Sequence, residues 1–347
     1  MEYRKLGSSG LSVSPFAIGA MGFGRGKGND INDRTWGATD DQVKEVVKRA
    51  LDMGINFFDT APVYQHGVSE RLLGKILKQE VSRDKFVVAT KFEPRSPEAV
   101  SKGVPTKEYM TQSLNQSLKN LGLDYVDLFI YHMWDWYTPI EEQLKVLADL
   151  VKEGKIRYIG MANVFPWQVA EANEIAKREG YPQFVSVQNY YNLLYREDDR
   201  EMLNYARLHN ISLTPYSPLA GGLLTRPFGT ETERTKFVGT FSKFDHSSAM
   251  PQADLKIIEL VGMLAAKYKV EPAAIALSWL TNRVTAPIVG ATKVRHLVAI
   301  EHAQAVHLSQ DEEQQFDQLY APHDLTGVMS LNNSRENSWQ KNMPDQC

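Results

Sequence analysis

Apolar positions along this chain follow two rhythms that alternate from end to end. Short runs rich in β-branched and aromatic residues occur at Phe16–Ala20, Ile55–Asp59, Phe86–Lys91, Tyr125–His132, Ile156–Ala162, Phe184–Asn189, Ile211–Tyr216 and Thr285–Val289. Between them lie longer stretches with apolar residues on one helical face, near 40–53, 69–80, 106–121, 139–153, 166–179, 197–209, 252–270 and 293–303. The first pattern predicts strands and the second amphipathic helices. Thr39-Asp40-Asp41-Gln42 and Thr138-Pro139-Ile140-Glu141 have the spacing of capping boxes, the second with proline at the first helical position. Gly54, Gly154 and Gly180 stand just past helix ends, where a left-handed residue is wanted.

Strand–helix alternation repeated in this way predicts an α/β chain folded as a (β/α)8 TIM-type barrel rather than an open doubly wound sheet. Ahead of the first barrel strand, Tyr3–Lys5 and Leu11–Ser14 flank the turn-rich Gly7-Ser8-Ser9-Gly10, which predicts an N-terminal β-hairpin closing the bottom. Two insertions follow strands, at 22–39 and 219–251. From Pro322 onward Asn, Ser and Gln dominate. The expected organisation is a single barrel domain over 1–321 and a polar C-terminal tail over 322–347.

Composition narrows the function classes. Thirty-nine Lys and Arg against 42 Asp and Glu leave a net charge of −3, which argues against nucleic acid and anionic membrane as partners. The one cysteine, Cys347, excludes a disulfide framework within the chain and a cysteine-ligated metal centre. Met1–Ala20 lacks the apolar core of a signal peptide, and no run approaches the ~18 apolar residues of a membrane span. A cytoplasmic protein is expected.

The catalytic face of a barrel lies at the C-terminal ends of its strands. The predicted strands end at Asp59 (with Tyr64 shortly after), Lys91, His132, Asn163, Gln188 and Tyr216-Ser217. Each alone has a plain structural reading: a satisfied histidine, a rim ion pair, a turn cap. Together at one mouth they suit chemistry. A phenol of pKa ~10 exchanges protons poorly at neutral pH. A neighbouring ammonium favours its ionised form, and a carboxylate keeps that ammonium charged. An imidazole can polarise a carbonyl oxygen. Such a set delivers a proton to a carbonyl oxygen, and a cofactor hydride is its natural complement at carbon. The run Gly22-x-Gly24-x-Gly26-x-Gly28 lacks dinucleotide-fold spacing and reads as a rim loop, so a nucleotide would sit on the mouth in another way. His66 and Glu70 have no third partner at a metal-ligand spacing, and no metal is expected.

Ordered motifs carry a family resemblance over residues 2–320. They are Lys5-Leu6-Gly7, Gly54-Ile55-Asn56-Phe57-Phe58-Asp59-Thr60-Ala61, Tyr64 with Ser69-Glu70-x-x-Leu73-Gly74, Ala89-Thr90-Lys91, and Leu121-Gly122-x-Asp124-Tyr125-Val126-Asp127-Leu128. His132, Gly154-Lys155-Ile156-Arg157-Tyr158-Ile159-Gly160, Gln188-Asn189-x-Tyr191-Asn192 and Pro215-Tyr216-Ser217-Pro218-Leu219 continue the series. The chain resembles the aldo-keto reductase superfamily, and within it the bacterial and fungal branch that reduces aldehydes and small ketones.

That resemblance implies an NAD(P)H-dependent oxidoreductase acting on a small-molecule carbonyl substrate, of the NADP-dependent alcohol dehydrogenase or carbonyl reductase type. Tyr64 becomes the general acid, tuned by Lys91 and Asp59, with His132 orienting the carbonyl. Asn163 and Gln188 match residues that hold the nicotinamide carboxamide, and Tyr216 the aromatic stacked on its ring. Ser217, Pro218, Leu219 and Gly221 fall in the loop that wraps the pyrophosphate. Gly290, Lys293, Arg295 and His296 fall in the segment that meets the adenosine end, so NADPH is the expected cofactor, with NADH not excluded. Departures are Ala162 where the family has serine, and Ala299 and Ile300 where it has Glu and Asn. Lys293 and Arg295 read equally as solvated helix residues. Phe23, Trp36, Phe92, Trp134 and Trp136 are expected to wall the substrate pocket. Two rival readings use the same barrel: a nucleotide-binding redox-sensing protein, and a lyase or isomerase with Lys91 as Schiff-base amine.

Overall fold

A computed structural model of the chain describes residues 1–30, 32–230 and 251–338. The end of the insertion after the seventh barrel strand, Cys347 and the tail beyond residue 338 lie outside the described residues. The hairpin is β1 (Arg4–Lys5) and β2 (Ser12–Val13), paired antiparallel. Eight strands then pair in parallel: β3 (Ala17–Gly19), β4 (Phe57–Asp59), β5 (Val87–Phe92), β6 (Val126–Tyr131), β7 (Ile156–Ala162), β8 (Phe184–Gln188), β9 (Ser212–Leu213) and β10 (Ile288–Gly290). Their order is β10-β3-β4-β5-β6-β7-β8-β9. A parallel bridge between Tyr216 and Ile288 closes the barrel.

Two apolar layers hold it. The inner layer, with Ala17, Phe57, Val87, Ala89, Leu128, Ile130 and Val185, is plugged from below by Leu6, Leu11 and Val13 of the hairpin. The outer layer lies between strands and helices and includes Phe58, Val88, Phe129 and Tyr131. Strand residues alternate between these layers, as a period of two demands. Helices α1 (Asp40–Asp52), α2 (Val68–Glu80), α3 (Pro97–Ser101), α4 (Thr106–Leu121), α5 (Ile140–Lys152), α6 (Pro166–Glu179) and α7 (Met202–Leu208) follow β3 to β8. Gln252–Tyr268, Pro272–Thr281, Val298–Ala305, Gln310–Leu319 and Gly327–Leu331 complete the shell. None of the described helices is long and apolar enough to cross a membrane.

The capping box at Thr39 is present, its side chain and that of Gln42 reciprocally bonded. The one expected at Thr138 is not. Pro139 is extended and is itself the cap residue, while the Thr138 hydroxyl accepts from Arg95 Nη2 at 3.2 Å. Gly54, Gly154 and Gly180 are left-handed, with φ of 83°, 72° and 69°. The helix Pro272–Thr281 escapes periodicity because eight of its residues, Ala273–Leu280, are buried all round. Gln310–Leu319 carried a legible signal, the Ser309-x-x-Glu312 capping box that the structure forms. The polar segment after Pro322 docks against the barrel through Asn332. Asn332 is buried and donates to the Trp134 carbonyl at 2.8 Å, while Trp136 Nε1 donates to the Asn332 carbonyl at 3.2 Å. Asparagine-rich segments read as solvated, yet here the amide satisfies buried backbone.

Close packing of α2 on the end of α4 yields a prediction. A Cβ on Gly74 would lie 2.0 Å from the Leu121 carbonyl oxygen. Alanine would gain ~1 kcal/mol of helix propensity but force two backbones apart. Gly74→Ala is expected to destabilise by about 1–3 kcal/mol, read from the urea midpoint at unchanged m-value.

Candidate active site at the barrel mouth

Strand alternation decides which top residues face inward. On β4 and β5, Phe57, Val87 and Ala89 point into the barrel, so Asp59 and Lys91 do too, one layer higher. Lys91 is fully buried and Asp59 nearly so. Lys91 Nζ donates to Asp59 Oδ1 at 2.6 Å and to the Thr60 carbonyl at 2.8 Å, and reaches Tyr64 Oη at 3.3 Å. Gln188 Nε2 donates to the other oxygen, Asp59 Oδ2, at 2.9 Å. Both carboxylate oxygens are therefore bound, one by charge and one by an amide. Burial pushes the ammonium down, but Asp59 and then Tyr64 outweigh it and hold the Lys91 pKa above its usual value. An amine kept protonated is a poor nucleophile, which counts against the Schiff-base reading.

Tyr64 is presented by a turn at an energetic cost. Gln65 and His66 after it are both left-handed, with φ of 49° and 50°. Such backbone at non-glycine residues persists only where the surroundings enforce it. Here the Gln65 amide does so: its Oε1 accepts from the Arg34 backbone at 2.7 Å, and its Nε2 donates to the carbonyls of Gly24 and Arg34. The insertion 22–39 is thereby clamped beside the tyrosine. Burial raises the Tyr64 phenol above its ordinary pKa, with Lys91 the leading influence in the opposite direction. The expected net lowering is reversed, because desolvation of the phenolate exceeds the help of the ammonium.

The His132 ring stands edge-on to Tyr64, with centroids 6.4 Å apart. Its Nδ1 lies 3.4 Å from Glu93 Oε1 without the alignment of a hydrogen bond. Asn163, left-handed at φ 55°, donates to the His132 carbonyl at 2.8 Å and accepts from Tyr216 Oη at 2.9 Å. The half-buried Tyr216 ring lies 5.6 Å from that of Tyr190. Beyond it the loop turns through left-handed Ser217, Ala220, Gly221 and Gly222, and a Cβ on Gly221 would meet open space. Pro218 is buried and Leu219 half-buried in this turn, and Asn192 Nδ2 donates to the Ser217 carbonyl at 3.1 Å.

Across the mouth, Gly290, Lys293 and Arg295 are exposed. His296 Nδ1 accepts from the Thr292 backbone at 3.3 Å. Ala299 and Ile300, in place of the family's Glu and Asn, are buried in the outer layer.

The aromatic wall is corrected in two places. Phe92 alternates with Lys91 and so points outward, stacked between Phe129 at 4.8 Å and Tyr131 at 4.9 Å. Phe23 is fully buried in the same outer layer, after the turn Ala20–Gly22. Both are core. Trp36 flanks Gly22 opposite Thr292. Trp134 and Trp136, in the loop after His132, pack with Trp167 at ring separations of 5.8 and 6.1 Å. Trp167, half exposed at the start of α6, went unnoticed in the sequence although it follows a strand top. Gln65, Glu93 and Arg34 were also missed. Glu70 is buried, accepting from Thr90 and Asn120. A depression of about 330 Å3 lined by Met53, Glu301, Gln304 and Ala305 is a surface feature of the helical shell, remote from this chemistry.

Fold and site together define an α/β barrel whose mouth joins a buried ammonium–carboxylate pair to a phenol and an imidazole. Comparison with known proteins sharpens this. The model of the aldo/keto reductase family matches residues 15–321. An aldo-keto reductase of Alternaria alternata is 32% identical, covering 92% of this chain and 91% of its own. Versiconal hemiacetal acetate reductase of Aspergillus parasiticus is 32% identical over 93% of this chain and 98% of its own. A thermostable aldo-keto reductase solved with the inhibitor epalrestat superimposes with a TM-score of 0.71 at 26% identity, covering 92% of this chain and all of that one. The chain belongs to the aldo-keto reductase family, oxidoreductases that reduce carbonyls with a nicotinamide cofactor.

Proposed function

We propose that this protein is an NADPH-dependent carbonyl reductase, using NADH less well, whose Tyr64 is the general acid. The observation that carries the reading is the buried relay from Asp59 through Lys91 to Tyr64 Oη, with contacts of 2.6 and 3.3 Å. The donor set also suits a nicotinamide dinucleotide: two carboxamides, an aromatic ring, a small left-handed loop and two exposed cations. Each amide of Asn163 and Gln188 keeps a further proton and lone pair beyond its present bonds. Asn163 and Gln188 would take the carboxamide and Tyr216 the ring face. Backbone N–H groups of the Ser217–Gly221 turn would take the pyrophosphate. Lys293 and Arg295, backed by His296, would take the 2′-phosphate.

Bound there, the cofactor supplies a hydride to the carbonyl carbon. Tyr64 Oη gives its proton to the carbonyl oxygen, and the Lys91 ammonium stabilises the phenolate left behind. Asp59, held by Gln188, keeps that ammonium in place. His132 aligns the carbonyl by hydrogen bonding. Trp134, Trp136, Trp167 and Trp36 favour aromatic aldehydes as substrates. A Saccharomyces cerevisiae relative named for aryl-alcohol dehydrogenase activity, 33% identical over 92% of this chain, supports that class.

Titration of the tryptophan fluorescence with NADPH and NADH tests the cofactor assignment, followed by aldehyde-dependent loss of NADPH absorbance. Lys293→Glu with Arg295→Glu is expected to weaken NADPH binding about tenfold or more while affecting NADH far less. Equal losses for both cofactors would move the 2′-phosphate contact elsewhere. Cofactor binding without turnover of any carbonyl would favour the redox-sensing barrel.

A further inference from the structure

Arg34 is the feature that the relay leaves unexplained. It sits in the insertion after β3 and is only 8% exposed. Burying a guanidinium is costly unless an anion accompanies it. Among the described residues no carboxylate comes within ion-pair distance of it. Its side-chain hydrogen bond is a long one, 3.5 Å from Nη1 to the Asn32 carbonyl. The acids nearest in sequence are engaged elsewhere: Asp33 accepts from the Lys27 and Asn29 backbones at 2.9 and 3.0 Å, and Asp30 is paired with His66 at 3.0 Å. What Arg34 does face is the ring of Tyr64, 5.7 Å from guanidinium carbon to centroid. The other cation beside the Tyr64 ring, Lys91, is neutralised by Asp59.

The placement is enforced by its backbone. Gln65 bonds both the N–H and the carbonyl of Arg34, and Gly26 donates to the same carbonyl at 2.7 Å. The turn that carries the acid thus also presents a cation whose donors are nearly unused, in a fork geometry matched to carboxylates.

Resting on the reductase reading, we infer that Arg34 is a specificity residue: it receives an anionic group, a carboxylate, carried by the carbonyl substrate. Its ion-pair partner arrives with the substrate, which accounts for a buried charge with no carboxylate at ion-pair distance among the described residues, Asp30 acting on it only from further off.

The test compares benzaldehydes bearing a carboxylate or the uncharged carboxamide at each ring position, with NADPH, in wild type, Arg34→Met and Arg34→Lys. For at least one position the carboxylate is expected to be preferred about tenfold or more in kcat/KM. Arg34→Met should erase that preference through KM, and Arg34→Lys should retain part of it. Equal kcat/KM in wild type, or a loss in Arg34→Met that falls equally on both substituents, would overturn the inference. So would a matching loss of NADPH affinity, because the anion would then be a cofactor phosphate. Binding of the corresponding benzyl alcohols, read by tryptophan fluorescence, reports carboxylate selectivity without turnover. Arg34-dependent selectivity there, with no aldehyde reduced, would support Arg34 and sink the reductase reading. Reduction without selectivity would do the reverse.

Discussion

Tyr64→Phe is expected to lower kcat for aldehyde reduction by about 10²–10⁴-fold with NADPH affinity nearly intact. The substitution removes one oxygen, 3.3 Å from Lys91 Nζ, and leaves the ring with its imidazole and Arg34 neighbours. Binding groups on the far strands are untouched, so the loss should fall on the chemical step. Burial holds the Tyr64 pKa up against the pull of Lys91. The phenol is therefore protonated throughout the neutral range and loaded to act as acid. Its reduction rate should be level there and fall only as alkaline pH ionises the phenol. Single-turnover rates with a saturating aldehyde read the step directly. Wild-type-like turnover in the phenylalanine variant would remove Tyr64 from the acid role.

Lys91→Met has two expected consequences. Activity should fall at least as far as in Tyr64→Phe, and the alkaline limb of the pH profile should move up as the phenolate loses its stabilising cation. Stability should also suffer. Asp59 is 3% exposed, and losing the ammonium leaves its charge with only the Gln188 amide. Breaking a buried pair in this way costs about 3–5 kcal/mol. Asp59→Asn in the same background should recover much of the stability and none of the activity. Urea unfolding of the two single variants and the double variant supplies the cycle. Additive stability losses would mean that the pair is not coupled.

Much of the site could be read before the fold was known, for one reason. A barrel collects the C-terminal ends of distant strands at a single mouth, so Asp59, Lys91, His132, Asn163 and Gln188 could be gathered from an ordered list of strand ends. The errors came where orientation mattered. Phe92 reads as a pocket aromatic because the predicted strand ends just before it, yet it continues that strand, where adjacent residues face opposite layers. Phe23 was assigned there because it follows β3, but the turn at Ala20–Gly22 returns it to the outer core. Gln188 reads in the sequence as a cofactor contact; the partner the structure shows for it is Asp59, 129 residues away.

Sequence alone determined the alternation of elements, the barrel, the hairpin beneath it and the identity of the relay, because these rest on local periodicity and on residue types at strand ends. Tertiary structure alone decided what the insertions and the terminal segment do. Arg34 lies in a stretch without periodicity, and the Gln65 amide, across 31 residues, together with the Gly26 backbone holds it beside the Tyr64 ring. Asn332, in a segment composed like a solvated tail, reaches back 198 residues to bond the backbone of the histidine loop. Single side-chain amides that satisfy distant backbone leave no pattern along a chain. They exist only once the barrel has brought the two ends of each contact together.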